Sequence, residues 1–167
     1  MSAPFRICFV CSGNICRSPT AEAVMRHQIA AAGLADRIVV DSAGLGHWHV
    51  GQDADPRSLA TLRAAGYTLD HEARVFDPDW YGERDLIVAM DRGHLRALQQ
   101  EAPDSAAVGR VVLLRDYAPG GRPADSAGED VGDPYYGGPD GFEIVLAQIE
   151  EACAGLLRTV GPEAAQK

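Results

Sequence analysis

Four short runs of apolar, strand-forming residues punctuate the chain, and segments with helical spacing fill the gaps between them. "FRICFV" (5–10), "RIVVDSAG" (37–44), "DLIVAM" (85–90) and "RVVLL" (110–114) read as strands. Near-continuous apolar runs of this length suit strands covered on both faces, not half-solvated ones. Strands alternating with helices predict an α/β domain with a parallel sheet and right-handed crossovers. The first helix is expected from Thr20 to about Gly33, with Ser18 as N-cap and Pro19 in the first turn. Ala21, Met25, Ile29 and Ala32 would form its apolar side. Further helices are expected over 56–65, with Gly66 just beyond, and over 91–100. In the last, Phe142, Val145, Leu146, Ile149, Cys153, Leu156 and Val160 keep helical spacing until Gly161-Pro162 ends it.

A chain of 167 residues suits one domain spanning 1–167, and no repeat or linker divides it. No apolar run approaches the roughly 18–20 residues of a membrane span. The apolar start is short and carries Arg6, which argues against a secretory signal and for a cytoplasmic protein with no membrane partner. The net charge of −9 argues against nucleic acid as a partner. It also means that any anion site must be built from specific groups. One stretch breaks the pattern. From Asp116 to Gly141 the chain is rich in Gly, Pro and Asp without periodicity, the mark of a functional loop.

"VCSGNICRSPTAE" (10–22) combines the end of the first strand, two cysteines, an arginine and a helix start. In open parallel sheets ligands bind beyond the carboxyl ends of the strands, where Cys11 stands. Backbone N–H groups and the helix dipole there favour an anion. Arg17 adds a planar fork for two phosphate oxygens. The same field favours a cysteine thiolate. A thiolate beside an anion cradle suits attack on a phosphate monoester through a phosphocysteine. The other cysteines read differently. Cys8, three residues from Cys11 on a strand, points to the opposite face and belongs to the core, and Cys153 falls in a helical apolar stripe. His47 and His49 flank Trp48 with no third ligand near in sequence, so no metal is expected.

"CSGNICRS", with "DSAG" (41–44), "WHVG" (48–51), His71, Asp91 and "DPYYG" (133–137), resembles the low-molecular-weight protein tyrosine phosphatase family over nearly the whole chain. The resemblance implies a three-layer domain: a central four-stranded parallel sheet flanked by helices. It implies a phosphate-binding loop of Ser12, Gly13, Asn14, Ile15, Cys16, Arg17 and Ser18. Cys11 would be the nucleophile, Arg17 the phosphate clamp and Asp133 the general acid. Ser18 would hydrogen-bond Cys11, and Asn14 would hold the loop through Ser42 and His71, with Asp91 in support. Trp48, His49, Tyr135 and Tyr136 would wall the substrate pocket. The resemblance also suggests a protective Cys11–Cys16 disulfide. Composition alone does not select Asp133 over Asp125, Glu129, Asp130 or Asp140. The implied reaction needs no cofactor, and its partners are tyrosine-phosphorylated proteins. Tyr135 and Tyr136 either pack at the pocket rim or offer a tyrosine kinase a site. Two positions depart from the family's usual pattern: Leu45 after "SAG", and His94 where Asp-x-x-Asn is common.

Other functions fit less well. An aspartyl phosphatase needs an Asp pair after a buried strand, and Asp53-x-Asp55 and Asp77-x-Asp79 follow none. An arsenate reductase of this fold needs cysteines midway along the chain, and none lies between Cys16 and Cys153. An arginine phosphatase tends to carry Thr where Ile15 stands. A phosphopeptide-binding module would need neither Cys11 nor Asp133.

Overall fold

The computed structural model describes residues 3–119, 130–131, 133–134 and 140–166. Four parallel strands, β1 (Phe5–Cys11), β2 (Ile38–Gly44), β3 (Leu86–Ala89) and β4 (Val111–Leu113), form one sheet in the order β2-β1-β3-β4. In register, Cys8 faces Asp41 of β2 and Ile87 of β3. The central strand is covered on both sides. Ile7, Phe9 and Cys11 join one apolar cluster, while Cys8 and Val10 join the other. That alternation explains why the run reads as continuously apolar.

Helices α1 (Arg17–Ala31), α2 (Pro56–Ala64), α3 (Arg92–Glu101), α4 (Ser105–Gly109) and α5 (Gly141–Gln166) flank the sheet, as the three-layer architecture requires. α1 and α5 share the cluster on one face, through Ala21, Met25, Ile149 and Leu156. Leu98 of α3 packs into the other, with Phe76 and Tyr81. β1 therefore leads to a helix on one face and β3 to a helix on the other. The crevice beyond their carboxyl ends is the topological switch point, where such folds bind ligands.

Three sequence expectations need correction, and one short helix had no expectation at all. α1 starts at Arg17 with Cys16 at its N-cap and no side-chain cap, so Ser18 lies inside the helix. The Ser18 hydroxyl is drawn instead toward Cys11 and Asn14. The apolar side of α1 stops at Ile29: Ala32 is exposed, while every residue from Arg17 to Met25 is buried. That half of the helix lies beneath β2 and α5, so it has no solvent face. Gly161-Pro162 does not end α5, which continues to Gln166. Gly161 lacks the Cβ that would clash with the proline ring, and buried Val160 and Ala164 keep the last turns packed. α4 was not evident in the sequence. It is five residues long and rests on an Asp104 cap bonded to the Ala107 N–H. Most of the stretch from Asp116 to Gly141, including Tyr135 and Tyr136, lies outside the described residues.

Candidate active site

The loop 12–16 curls tightly because donors outside it hold its carbonyls. Leu45 N–H bonds the Cys11 carbonyl, Gly46 N–H that of Ser12, Asp55 N–H that of Ile15 and Thr20 N–H that of Cys16. His71 Nε2 lies 2.7 Å from the Asn14 carbonyl; a carbonyl only accepts, so Nε2 carries the proton. In a trans peptide the N–H points opposite to the C=O. With these carbonyls turned outward, the N–H groups of Ser12, Gly13, Ile15, Cys16 and Arg17 face the inside of the curl. Such an arrangement, continuous with the α1 N-terminus, is suited to receive an anion. Asn14 makes the turn at φ +59, a left-handed conformation that asparagine tolerates. Gly44 allows β2 to abut the loop: a Cβ there would meet the Ser12 carbonyl at 2.9 Å.

The curl opens into a cavity of about 300 Å³ lined by Cys11, Ser12, Gly13, Ile15, Cys16, Arg17, Trp48, His49 and Asp133. Cys11 Sγ is 2.9 Å from Ser18 Oγ at its floor. Arg17 is 4% exposed, with Nη1 donating to Asp91 Oδ2 at 2.8 Å and to the Val131 carbonyl at 3.0 Å. Its Nη2 lies 3.6 Å from Asp133 Oδ2, on a side chain that is 42% exposed at the rim. Trp48 is 70% exposed, which removes a core role, and stands with His49 on the wall. His49 Nδ1 lies 3.0 Å from Gln52 Oε1.

Behind the loop the Asn14 amide orients the network. Arg74 N–H donates to Asn14 Oδ1, so the amide nitrogen faces the serines. It donates to Ser18 Oγ at 2.8 Å and to Ser42 Oγ at 3.0 Å. Ser42 Oγ in turn donates a hydrogen bond to Glu22 Oε1 at 2.7 Å. Ser18 Oγ lies 2.9 Å from the Cys11 sulfur and also reaches the Ala43 carbonyl at 3.4 Å.

Asp91 caps α3 and holds Arg17 at once: Oδ1 accepts from His94 N–H at 2.8 Å while Oδ2 takes the guanidinium. Burial pushes its carboxyl up, but the His94 N–H, the His94 ring and Arg17 outweigh that and hold it below the usual value. Burial pushes the Cys16 thiol up to about 12 and raises Cys8 and Cys153 as well. Glu22, His94 and the Val131 carbonyl are site groups that sequence reading missed. The only sign of His94 was its departure from Asp-x-x-Asn.

The low molecular weight phosphotyrosine protein phosphatase family model matches residues 6–166. A low molecular weight protein-tyrosine-phosphatase of Streptomyces coelicolor is 53% identical over 93% of this chain and 93% of its own. A protein tyrosine phosphatase structure from Entamoeba histolytica superposes with TM-score 0.87 at 33% identity, covering 95% of this chain and 98% of that one. A Drosophila arginine phosphatase structure superposes with TM-score 0.82 at 33% identity, covering 92% and 96%. The chain belongs to the low molecular weight phosphotyrosine protein phosphatase family, and it is a phosphatase.

Proposed function

We propose that this enzyme hydrolyses phosphotyrosine in proteins without a metal, through a phosphocysteine on Cys11. The observation that carries the reading is the joining of Cys11, the outward-held loop and the Arg17 guanidinium in one cavity. The N–H nest and the Nε–Nη2 edge of Arg17 would hold the phosphoryl oxygens, since Nη1 is committed to Asp91 and Val131. The Cys11 thiolate attacks phosphorus as the P–O bond to the tyrosine breaks. The leaving phenolate takes a proton from Asp133. Water, deprotonated by the resulting Asp133 carboxylate, then attacks the phosphocysteine. The P–S bond breaks, phosphate leaves, and the Ser18 hydroxyl stabilises the departing thiolate. The arginine and the amide dipoles supply the charge stabilisation that a metal gives in other phosphatases.

Trp48 supports an aromatic substrate, since its exposed indole stands where a phenyl ring would enter. The second reading is a protein arginine phosphatase, which the Drosophila structure keeps in view. Ile15 in the cavity wall favours the aryl ester over it. Assaying phosphotyrosine, phosphoserine and phosphoarginine peptides in EDTA separates these. Turnover of phosphotyrosine far above the other two is expected. Dominant phosphoarginine turnover, or loss of activity in EDTA, would overturn the reading.

A further inference from the structure

His94 is a buried titratable group that the reaction above does not use. It sits in the first turn of α3, 4% exposed, on the face of the site opposite α1. Nε2 lies 2.9 Å from Ser12 Oγ, the side chain next to Cys11 in the loop. Nδ1 faces Asp91 Oδ1 at 3.3 Å, out of line for a hydrogen bond. The same carboxylate holds Arg17 through its other oxygen at 2.8 Å. One imidazole therefore touches the anion loop on one side and the carboxylate that aims the guanidinium on the other.

We propose that His94 is a positioning residue that ties Ser12 to Asp91, and so keeps the phosphate loop and Arg17 at one spacing. This rests on the phosphate-binding role assigned above to the loop and to Arg17. The ring works as the Nδ1–H tautomer. That form turns a proton toward the Asp91 carboxylate, whereas the other would set a nitrogen lone pair against it. Nε2 then accepts from the Ser12 hydroxyl and fixes that side chain away from the anion. Burial first, then the Arg17 charge, lowers the ring's pKa to about 4, against the pull of Asp91, Asp133 and Asp130. The imidazole is therefore neutral at neutral pH, and a second cation beside Arg17 is avoided. Ser12 and Asp91 lie on the loops after two different strands, β1 and β3. The backbone joins the two strands up to the Met90 N–H and Val10 carbonyl at 3.3 Å, and the Ser12–His94–Asp91 bridge carries that connection past the strand ends into the site.

The test combines inorganic phosphate binding by calorimetry with imidazole nitrogen NMR on the intact protein. The wild-type ring at pH 7 should show Nδ1 protonated and Nε2 as acceptor. His94→Leu and Ser12→Ala should each weaken phosphate binding by about five- to tenfold. The double variant should lose no more than the worse single, because removing both partners leaves no buried polar atom orphaned. His94→Asn, which retains a polar partner for Ser12, should lose less than His94→Leu and covers the case in which the leucine variant fails to fold. An Nε2–H tautomer, or losses that simply add, would overturn the proposal. Coupled losses in phosphate binding, from a protein that leaves phosphotyrosine intact, would support His94's role while sinking the tyrosine phosphatase reading.

Discussion

At the residue scale the account turns on which proton goes where. Asp133 stands at the rim with Arg17 Nη2 3.6 Å from its carboxylate, where it can meet a leaving oxygen. Asp133→Asn should lower kcat by about 10²- to 10⁴-fold on a phenyl phosphate. The loss should shrink on a nitrophenyl phosphate, whose anion leaves without a proton; equal losses on both would make Asp133 structural. Cys11 and Arg17 could be picked out from the strand-loop-helix context because the chemistry needs a nucleophile beside an anion cradle, whereas Ser18 reads locally as a cap and its contact with Cys11 came only through the family resemblance. Glu22 could not. Its role follows from accepting the Ser42 hydrogen bond, and the fold brings that hydroxyl from β2 across to α1. Nor does spacing reveal that Trp48 is exposed, since a large aromatic in a short loop fits a core as well as a wall.

Elements carry the next set of consequences. The start of α3 holds two groups with displaced titrations, His94 and Asp91. An unfolded histidine binds its proton below about pH 6.5. In the folded chain His94 does so only near 4, so the unfolded state holds more protons in that window. Stability should therefore fall as pH drops from about 6.5 to 4, by of order 1–3 kcal/mol from this residue. Asp91, lowered in the fold, contributes stability above the ordinary carboxylate pKa that is lost as pH falls through its folded value. Denaturant titrations across this range should show a shallower decline for His94→Asn; an unchanged slope would remove His94 as the cause. α5 offers a second test. Pro162 forfeits a helical hydrogen bond in a helix that continues past it. Pro162→Ala should raise stability by about 1 kcal/mol, and a fall in melting temperature would show that the proline is needed for packing. Gly161-Pro162 looked like a stop in the sequence because the local signal is strong, and the burial of Val160 and Ala164 overrides it.

For the whole molecule, the strands and the parallel α/β class could be anticipated because each buried strand announces itself by composition; the order β2-β1-β3-β4 could not. The register and the crevice between β1 and β3 could not, since they depend on which face each crossover helix takes. That crevice gathers residues from the start of the chain to Asp133, and it leaves the four cysteines in unequal settings. Cys8, Cys16 and Cys153 are buried with raised thiol pKa values. Iodoacetate at neutral pH should therefore alkylate Cys11, at the cavity floor, ahead of the other three, and phosphate should protect it. Alkylation of Cys16 first would place the reactive thiol wrongly.

The covalent step is the most direct point of attack. The purified protein can be mixed with a phosphotyrosine peptide, quenched within the first turnover, digested and analysed by mass spectrometry. One phosphoryl group should appear on Cys11 in the wild type, persist longer in Ser18→Ala, and be absent in Cys11→Ser. Turnover with no phosphorylated cysteine at any quench time, or the phosphoryl group on another side chain, would contradict the account.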